Sequence, residues 1–233
     1  LQGAFIAGTG SMTNALSQAQ AIPLQSPYAD DPRIAAAIPS NTTDWVLMQF
    51  RQTTNGPAAL SRSVFLRQDG WLVNDKGSTD LDLDLPRNNS FYLSVKHRNH
   101  QAALSSVPLS ITNQTLIYDF TTSDAAYWGG SNACATVNGG VAQFRALRLG
   151  DVDGDGLVSS ADLAIAASQS GCTGYRRGDA TLDGAVTDAD LTLISNALGS
   201  ASVIARPDTP LTSVLRVSPA LQTLSSGDTS ILD

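Results

Sequence analysis

The chain has 233 residues, of which 42% are hydrophobic and 15% charged, with a formal net charge of −7 and a pI of about 4.6. This composition excludes a disordered chain, and an acidic balance without any basic cluster argues against a nucleic-acid-binding protein. No apolar run approaches the roughly 18 residues of a membrane-spanning helix, so we predict no membrane span.

Residues 1–149 carry short apolar runs that alternate with polar residues and are separated by turn signals, a pattern typical of β-strands. All 21 acidic residues are aspartate, and the scarcity of the helix formers Glu and Lys favours the same interpretation. The predicted strands lie at 1–7, 44–52, 59–68, 70–74, 81–85, 90–98, 103–111, 116–121 and 141–149. Asp69-Gly70 predicts a tight hairpin, and a short helix is expected at 31–37. The spacing predicts a mainly β domain at 1–149, built as an antiparallel β-sandwich.

Residues 150–199 contain an internal repeat in which each position aligns with the position 28 residues later. The matching pairs are Gly150 and Gly178, Asp151 and Asp179, Asp155 and Asp183, Gly156 and Gly184, Val158 and Val186, Asp162 and Asp190, Leu163 and Leu191, and Gly171 and Gly199. A constant offset at so many aspartate and glycine positions indicates two copies of one unit. Each copy is an aspartate-rich loop followed by a stretch with helical spacing that ends at a glycine.

Both loops have the ligand spacing of an EF-hand calcium site, with oxygens at positions 1, 3, 5, 7 and 12 and a glycine at position 6. The predicted ligands of the first loop are Asp151, Asp153, Asp155, the Leu157 carbonyl and Asp162. Those of the second are Asp179, Thr181, Asp183, the Ala185 carbonyl and Asp190. We predict two Ca²⁺ ions, the second bound more weakly because Thr181 offers a neutral hydroxyl. Val158 and Val186 are expected to pair as a short bridge between the loops.

Two departures from the EF-hand pattern carry a resemblance to a known family. The twelfth position is Asp rather than Glu, and no helix clearly precedes either loop; in both respects residues 150–199 resemble a type I dockerin. The resemblance covers about a fifth of the chain. It implies a small α domain with one helix after each calcium loop, and a cohesin-like partner bound through those helices. Thr181 departs from the family, which usually has Asp or Asn there.

The N-terminal region resembles modules of large secreted bacterial surface proteins. The segments that carry this resemblance are LQGAFIAG, IPLQSPYADDPR, IPSNTTDWVLMQFR, SRSVFLRQDGWLV, FYLSVKHRNH and IYDFT, in that order. In those proteins the module often precedes dockerin-like repeats. The resemblance implies secretion by a bacterium and an extracellular or cell-surface location, and it implies no particular chemistry.

Several polar residues leave alternatives open. Cys134 and Cys172 are expected to form a disulfide in an oxidising compartment, and are free thiols otherwise. His97 and His100 point to opposite faces of a straight strand unless the strand ends between them, so we favour a structural role near Trp45 over a metal or catalytic role. Glycosylation sequons begin at Asn41, Asn88 and Asn113.

No catalytic pattern stands out: there is no GxSxG nucleophile elbow and, without any Glu, no paired-carboxylate site, so we predict a protein that is not an enzyme. Three functions remain. The first is a calcium-stabilised subunit of a bacterial surface filament or layer, which binds copies of itself through the sandwich edge or a β-prone tail at 200–233 that donates a strand. The second is a dockerin-type adaptor for a cohesin-like protein. The third is a carbohydrate-binding module that presents Trp128 to glycans.

Overall fold

Strands dominate the regular structure of the computed structural model, which describes residues 1–86, 88–110 and 116–204. The strands are β1 (Phe5–Ile6), β2 (Ser11–Met12), β3 (Thr42–Arg51), β4 (Ala58–Arg67), β5 (Leu72–Val73), β6 (Ser90–His97), β7 (His100–Leu104), β8 (Leu109–Ser110), β9 (Ala135–Asn138) and β10 (Gln143–Ala146). The helices are α1 (Ala15–Gln18), α2 (Ser160–Ser168) and α3 (Asp188–Asn196), and 3₁₀ helices cover Asp124–Ala126 and Gly130–Ala133. None of the described helices is long and apolar enough to cross a membrane.

The principal sheet is antiparallel, with strand order β5-β4-β3-β6-β7, and β8 pairs with the start of β6. In its centre Val46 lies opposite Val64, and Met48 lies opposite Val95. All ten residues of β3 are buried. Because successive side chains of a strand point to opposite faces, both faces of this sheet are covered by other parts of the chain.

One face of the sheet carries Trp45 and Phe65, whose ring centroids lie 3.8 Å apart. The indole of Trp45 donates to the carbonyl of Pro23, and the Tyr28 hydroxyl donates to the carbonyl of Trp45, so the loop before β3 lies over this face. The hydrophobic core of the principal sheet includes side chains from both of its faces. Residues 81–85 and 116–120 pack alternate side chains against this core. The remaining ladders, β1-β2 and β9-β10, are separate two-stranded sheets.

Most of the predicted strands form, and the exceptions have physical reasons. The prediction at 81–85 is wrong as a ladder: Leu81, Leu83 and Leu85 are half-buried and alternate with exposed Asp82 and Asp84, but these residues pair with no strand in the described chain. Residues 116–121 behave in the same way. The run at 103–111 is interrupted by Pro108, which lacks the N–H that a ladder needs.

Three further differences concern short elements. Residues 31–37 contain no helix. Instead, the N–H of Ser26 donates to the carbonyl of Arg33 and Gln25 forms a β-bridge with Ile34, which closes a loop. The four-residue α1 and the strands β2 and β9 were not predicted, since elements of two to four residues are too short to show a repeating pattern of apolar side chains. The expected hairpin at Asp69-Gly70 is confirmed, with Gly70 at a φ of 91°.

The repeat region builds a second, smaller core. Helices α2 and α3 begin with capping boxes, in which Ser159 with Asp162, and Thr187 with Asp190, satisfy the first N–H groups reciprocally. Their apolar sides enclose Val152, Val158, Ala166, Ala180 and Ile194. Beyond α3 the described chain ends at Ile204, so the predicted strand-donating tail lies, from residue 205 onward, outside the described residues.

Candidate metal centre

The first repeat loop gathers its acidic residues around one point. Carboxylate oxygens of Asp151, Asp153 and Asp155 lie within 4.8 Å of one another, a group of the size that a metal ion bridges. Gly154 and Gly156 have φ values of 81° and 91°, which only glycine adopts readily, and they bend the backbone around this point. Hard oxygen donors at this spacing fit Ca²⁺ better than a transition metal.

Asp162, the twelfth position of the first loop, is fully buried and closes the loop through hydrogen bonds. Its Oδ1 accepts from the N–H groups of Val152 (2.7 Å) and Asp153 (3.0 Å), and its Oδ2 accepts from the N–H of Ser159 (2.8 Å). Oδ1 thus accepts two bonds, and Oδ2 also accepts from the Ser159 hydroxyl (3.3 Å), so these donors together fix the orientation of the carboxylate. The Leu157 backbone bridges to Ala201 and donates to Asp155 Oδ1.

The second loop is closed in a similar way by its twelfth residue, but it has a threonine where the first loop has Asp153. Asp190 is fully buried and accepts from the N–H groups of Thr181 (2.9 Å) and Thr187 (2.8 Å). The Thr181 hydroxyl also donates to Asp190 Oδ1 (3.0 Å) and to Asp179 Oδ1 (3.3 Å). A hydroxyl therefore ties two carboxylates together where the first loop has a third carboxylate.

Asp179 is the most perturbed carboxyl of the second loop. Burial, with smaller contributions from the carboxylates of Asp190 and Asp183, raises its pKa to about 6 against the opposing effects of the Arg98 charge and the Gly184 N–H. Asp183 accepts from the N–H of Ala185, whose backbone bridges to Thr173. A bound cation is the natural counterion for such a group, because it would offset the cost of burying the charge.

The predicted bridge between Val158 and Val186 is wrong. The N–H and carbonyl of Val158 bond to Ser200 and Gly199, and those of Val186 bond to Cys172 and Gly171. Each loop thus pairs with the segment that follows the other repeat's helix. The two valine side chains lie inside the repeat region, both fully buried, rather than on facing strands of a ladder.

A two-residue turn, Arg98-Asn99, joins β6 to β7 and connects the principal sheet to the repeat region. Arg98 Nε donates to Asp44 Oδ2 (2.8 Å), its guanidinium also donates to the carbonyl of Arg176, and its Cζ lies 4.3 Å from the centroid of the Tyr175 ring. The Tyr175 hydroxyl donates to Asp44 Oδ1 (2.6 Å). One carboxylate on β3 is therefore shared by the hairpin and by the segment that leads into the second loop.

The neighbours of Arg98 extend this polar contact on both sides. Asn99 donates through Nδ2 to the carbonyls of Arg177 (2.9 Å) and Asp179 (2.7 Å). Gln101 donates through Nε2 to the carbonyl of Ser200 (3.0 Å). Asn99 and Gln101 are themselves buried, so these bonds are shielded from water and hold both loops against the sheet.

The two histidines lie at the ends of the hairpin and form a chain of hydrogen bonds. His97 Nε2 donates to Asp44 Oδ2 (3.1 Å), and its Nδ1 lies 3.0 Å from His100 Nδ1. His100 Nδ1 also lies 2.8 Å from Asn99 Oδ1, and its Nε2 accepts from the N–H of Gly3. These partners are all satisfied when both rings are neutral, with the proton on Nε2 of His97 and on Nδ1 of His100.

Electrostatics agree with that assignment. Burial lowers the pKa of His97 despite the adjacent Asp44, and burial together with His97 lowers the pKa of His100 well below its usual value. Burial alone would raise the pKa of Asp44, but Arg98, His97 and Tyr175 outweigh it and hold that pKa at about 2. The site thus contains one buried ion pair, Asp44 with Arg98, flanked by neutral rings.

The other candidate residues are placed apart from this centre. Cys134 and Cys172 are free thiols, so the expected disulfide is not formed: Cys134 is buried after a 3₁₀ helix, its Sγ donating to Gly130, and Cys172 lies between the two repeats. Trp128 is 41% exposed and meets Tyr92 edge-on. Asn41 and Asn88 are exposed, and Asn113 lies outside the described residues.

Three residues that join the sheet to the repeat region could not be found from the sequence. Asp44 and Tyr175, which contact Arg98, and Leu182, which packs in the core of the principal sheet, carry no local motif and are far apart in the chain. Leu182 has a φ of 58° where the first loop has Gly154, and its side chain lies in the core of the principal sheet rather than in that of the repeats. A bulky residue at a position that favours glycine was the one available signal, since strain of this kind is kept only for a contact.

The comparisons with known proteins leave these observations to stand by themselves. No family model matches the chain, and no curated protein or solved structure shows significant similarity to it.

Proposed function

We propose that the chain is a non-enzymatic, calcium-stabilised structural protein of the bacterial cell exterior, which assembles with copies of itself into a surface filament or layer. The observation that supports this most directly is the buried contact between the Arg98-Asn99 turn and the repeat region. An attachment module needs only a flexible connection to its cargo. A load-bearing subunit needs its parts held in one orientation, and buried, hydrogen-bonded polar groups provide that.

We propose in addition that the first part is a β-sandwich with an incomplete second layer, and that residues 150–199 form a dockerin-like unit with two Ca²⁺ ions. The acidic group of Asp151, Asp153 and Asp155 supports an ion in the first loop. For the second loop the support is the raised pKa of Asp179, which a cation would relieve. If free Ca²⁺ exceeds the dissociation constant about 100-fold, each ion adds about 2.7 kcal/mol of stability.

A structural role also accounts for the titratable residues better than catalysis does. The side chains of Asp44 and His97 have no exposed surface, and that of Arg98 is 2% exposed. A substrate cannot reach a carboxylate that is enclosed in this way, whereas a buried ion pair joining two segments fixes their relative position. We therefore assign these groups to the architecture.

The adaptor function is the second candidate, and one observation favours it. Helices α2 and α3 leave a shallow groove lined by Leu163, Leu191 and Ser195, a surface of the kind that another protein covers. A carbohydrate-binding role rests only on Trp128 and its neighbour Tyr92. The adaptor predicts tight binding to a cohesin panel, and the carbohydrate role predicts retention on glycans that Trp128→Ala abolishes.

Light scattering of the purified chain tests the proposal. We expect species larger than two copies in millimolar Ca²⁺ and dissociation or unfolding when a chelator removes the ion. Mg²⁺ at the same concentration serves as the control, because it demands octahedral geometry and retains its water more tightly. Monomers at every concentration with Ca²⁺ present would reject self-assembly.

A further inference from the structure

Residues 116–121 have the alternating pattern of a strand, and among the described residues no strand pairs with them. Leu116, Tyr118 and Phe120 are half-buried against the core of the principal sheet, while Ile117 and Asp119 are exposed. Within the described chain the backbone of 116–120 joins no ladder; the first interstrand bond is from the N–H of Arg145 to the carbonyl of Thr121. An extended segment with unpaired backbone groups beside a sheet is a template for another strand.

A cavity of about 370 Å³ lies between this segment and the principal sheet. Its floor consists of Val46, Leu66, Leu93 and Val95, which the register places on one face of β3, β4 and β6. Ile117 and Trp71, exposed by 72% and 51%, stand at its rim. A mostly apolar cavity bordered by an unpaired backbone suits a strand, which fills the space with alternate side chains and pairs its main chain.

We propose that this cavity, together with residues 116–121, receives residues 211–218 of a second copy of the chain as an added strand. The inference rests on the proposed self-assembly and names the surface through which it occurs. The segment LTSVLRVS is rich in β-branched and aliphatic residues, and Leu215 and Val217 alternate with Arg216. Six acceptor residues span about 20 Å in extended conformation, which an eight-residue donor covers.

The point at which the described chain ends favours a second copy over the same chain. A Cβ at Gly129 would lie 2.6 Å from Val203 Cγ2, so the chain passes directly over the turn that follows Tyr127, and Tyr127 lines the cavity. Pro207 and Pro210 occupy the spacer to residue 211. Because proline fixes φ and disfavours helix in the residue before it, we expect an extended spacer, whose six residues could span about 20 Å and so allow residues 211–218 to reach a neighbouring copy.

Complementary variants of the full chain test the proposal. The acceptor variant, Trp71→Asp with Ile117→Asp, places charge at the rim of the cavity at positions that are at least half exposed. Its matched control is Ile34→Asp with Val141→Asp, two exposed apolar residues away from the cavity. The donor variant is Leu215→Asp with Val217→Asp, and its control is Ser225→Asp with Ser226→Asp. All four carry the same added charge.

We expect the wild-type chain and both controls to form large species in Ca²⁺, and each variant alone to remain monomeric with an unchanged circular dichroism spectrum. An equimolar mixture of the two variants should form a species of twice the 24.3 kDa chain mass and nothing larger, because one variant retains a donor and the other an acceptor. A mixture that stays monomeric would show that the segment fills the cavity of its own chain. Variants that assemble like the wild type would reject the cavity as the acceptor of this segment, but the proposed self-assembly would stand. A monomeric wild type would reject both proposals.

Discussion

Replacing Arg98 by methionine tests whether the buried ion pair holds the sheet and the repeat region together. The substitution keeps an unbranched side chain but removes the countercharge of the fully buried Asp44, which retains its hydrogen bonds with His97 and Tyr175. Breaking one side of a buried pair costs about 3–5 kcal/mol, because the remaining charge is left without compensation. With a total stability of about 5–15 kcal/mol expected for a chain of this kind, the variant should be folded only marginally.

Urea unfolding followed by tryptophan fluorescence measures this cost. Trp45 is fully buried against Phe65 in the core of the sheet, so its emission reports loss of that core. The matched control is Arg67→Met, which removes a bidentate but exposed pair with Asp69 and should cost about 0–1 kcal/mol. Equal effects of the two substitutions, within about 1 kcal/mol, would refute the reasoning.

The dependence on pH separates the charge of Arg98 from its packing. In the wild type the pKa of Asp44 lies near 2, below its ordinary value, so the pair contributes stability above about pH 4 that is lost as the pH falls toward 2. Without Arg98 we expect the pKa of Asp44 to rise, because its largest favourable charge interaction is lost. The penalty of Arg98→Met should therefore shrink as the pH is lowered through the acid range, whereas a loss of packing alone would not change with pH.

Three further predictions concern single groups. Thr181→Asp should tighten Ca²⁺ binding at the proposed second site about tenfold in calorimetric titration, since it supplies a fourth carboxylate, and unchanged affinity would contradict Thr181 as a ligand. His97 and His100 are neutral in the folded chain but protonated in the unfolded chain below about pH 6.5. The free energy of unfolding should therefore fall by about 1.4 kcal/mol per pH unit for each histidine on acidification. Replacing both histidines by glutamine should abolish this slope. Leu182→Ala should lower the free energy of unfolding by about 2–5 kcal/mol. Leu182→Gly should lower it by no more than that, because glycine relieves about 1–2 kcal/mol of strain at a φ of 58°. A much larger loss of stability for the glycine variant would argue against strain at this position.

Residues 44–52 and 90–98 show how much of the fold the sequence predicts. Their period-two alternation and the turns between them suffice to place β3 and β6 within two residues of their observed ends. Residues 81–85 and 116–121 have an equally clear alternation and the expected pattern of burial, but no ladder. Alternation predicts which side chains face a core. It does not supply the neighbouring strand, which depends on contacts distant in sequence.

The proposed metal loops and the hairpin show how much of the candidate site could be predicted from the sequence. Asp151, Asp153 and Asp155 could be named from spacing alone, because ligands and turn lie within one short segment. The function of His97 could not, because it depends on Asp44, 53 residues earlier in the chain. The sequence did favour a structural role over catalysis for the histidines. The contact between the hairpin and the repeat region could be identified only from the three-dimensional structure.

The first repeat loop also holds the last residues of the described chain. The carbonyl of Gly156 accepts from the N–H of Ser202 (2.6 Å), Leu157 bridges to Ala201, and Val158 bonds to Gly199 and Ser200. These three loop residues directly follow the acidic group that we propose binds Ca²⁺, and Gln101 on β7 contacts the same stretch. If Ca²⁺ binds this loop as we propose, we expect its removal to loosen the pairing that holds residues 199–202, from which the proposed donor segment follows in sequence. Calcium is thereby expected to control assembly through the position of the tail as well as through the stability of the loops.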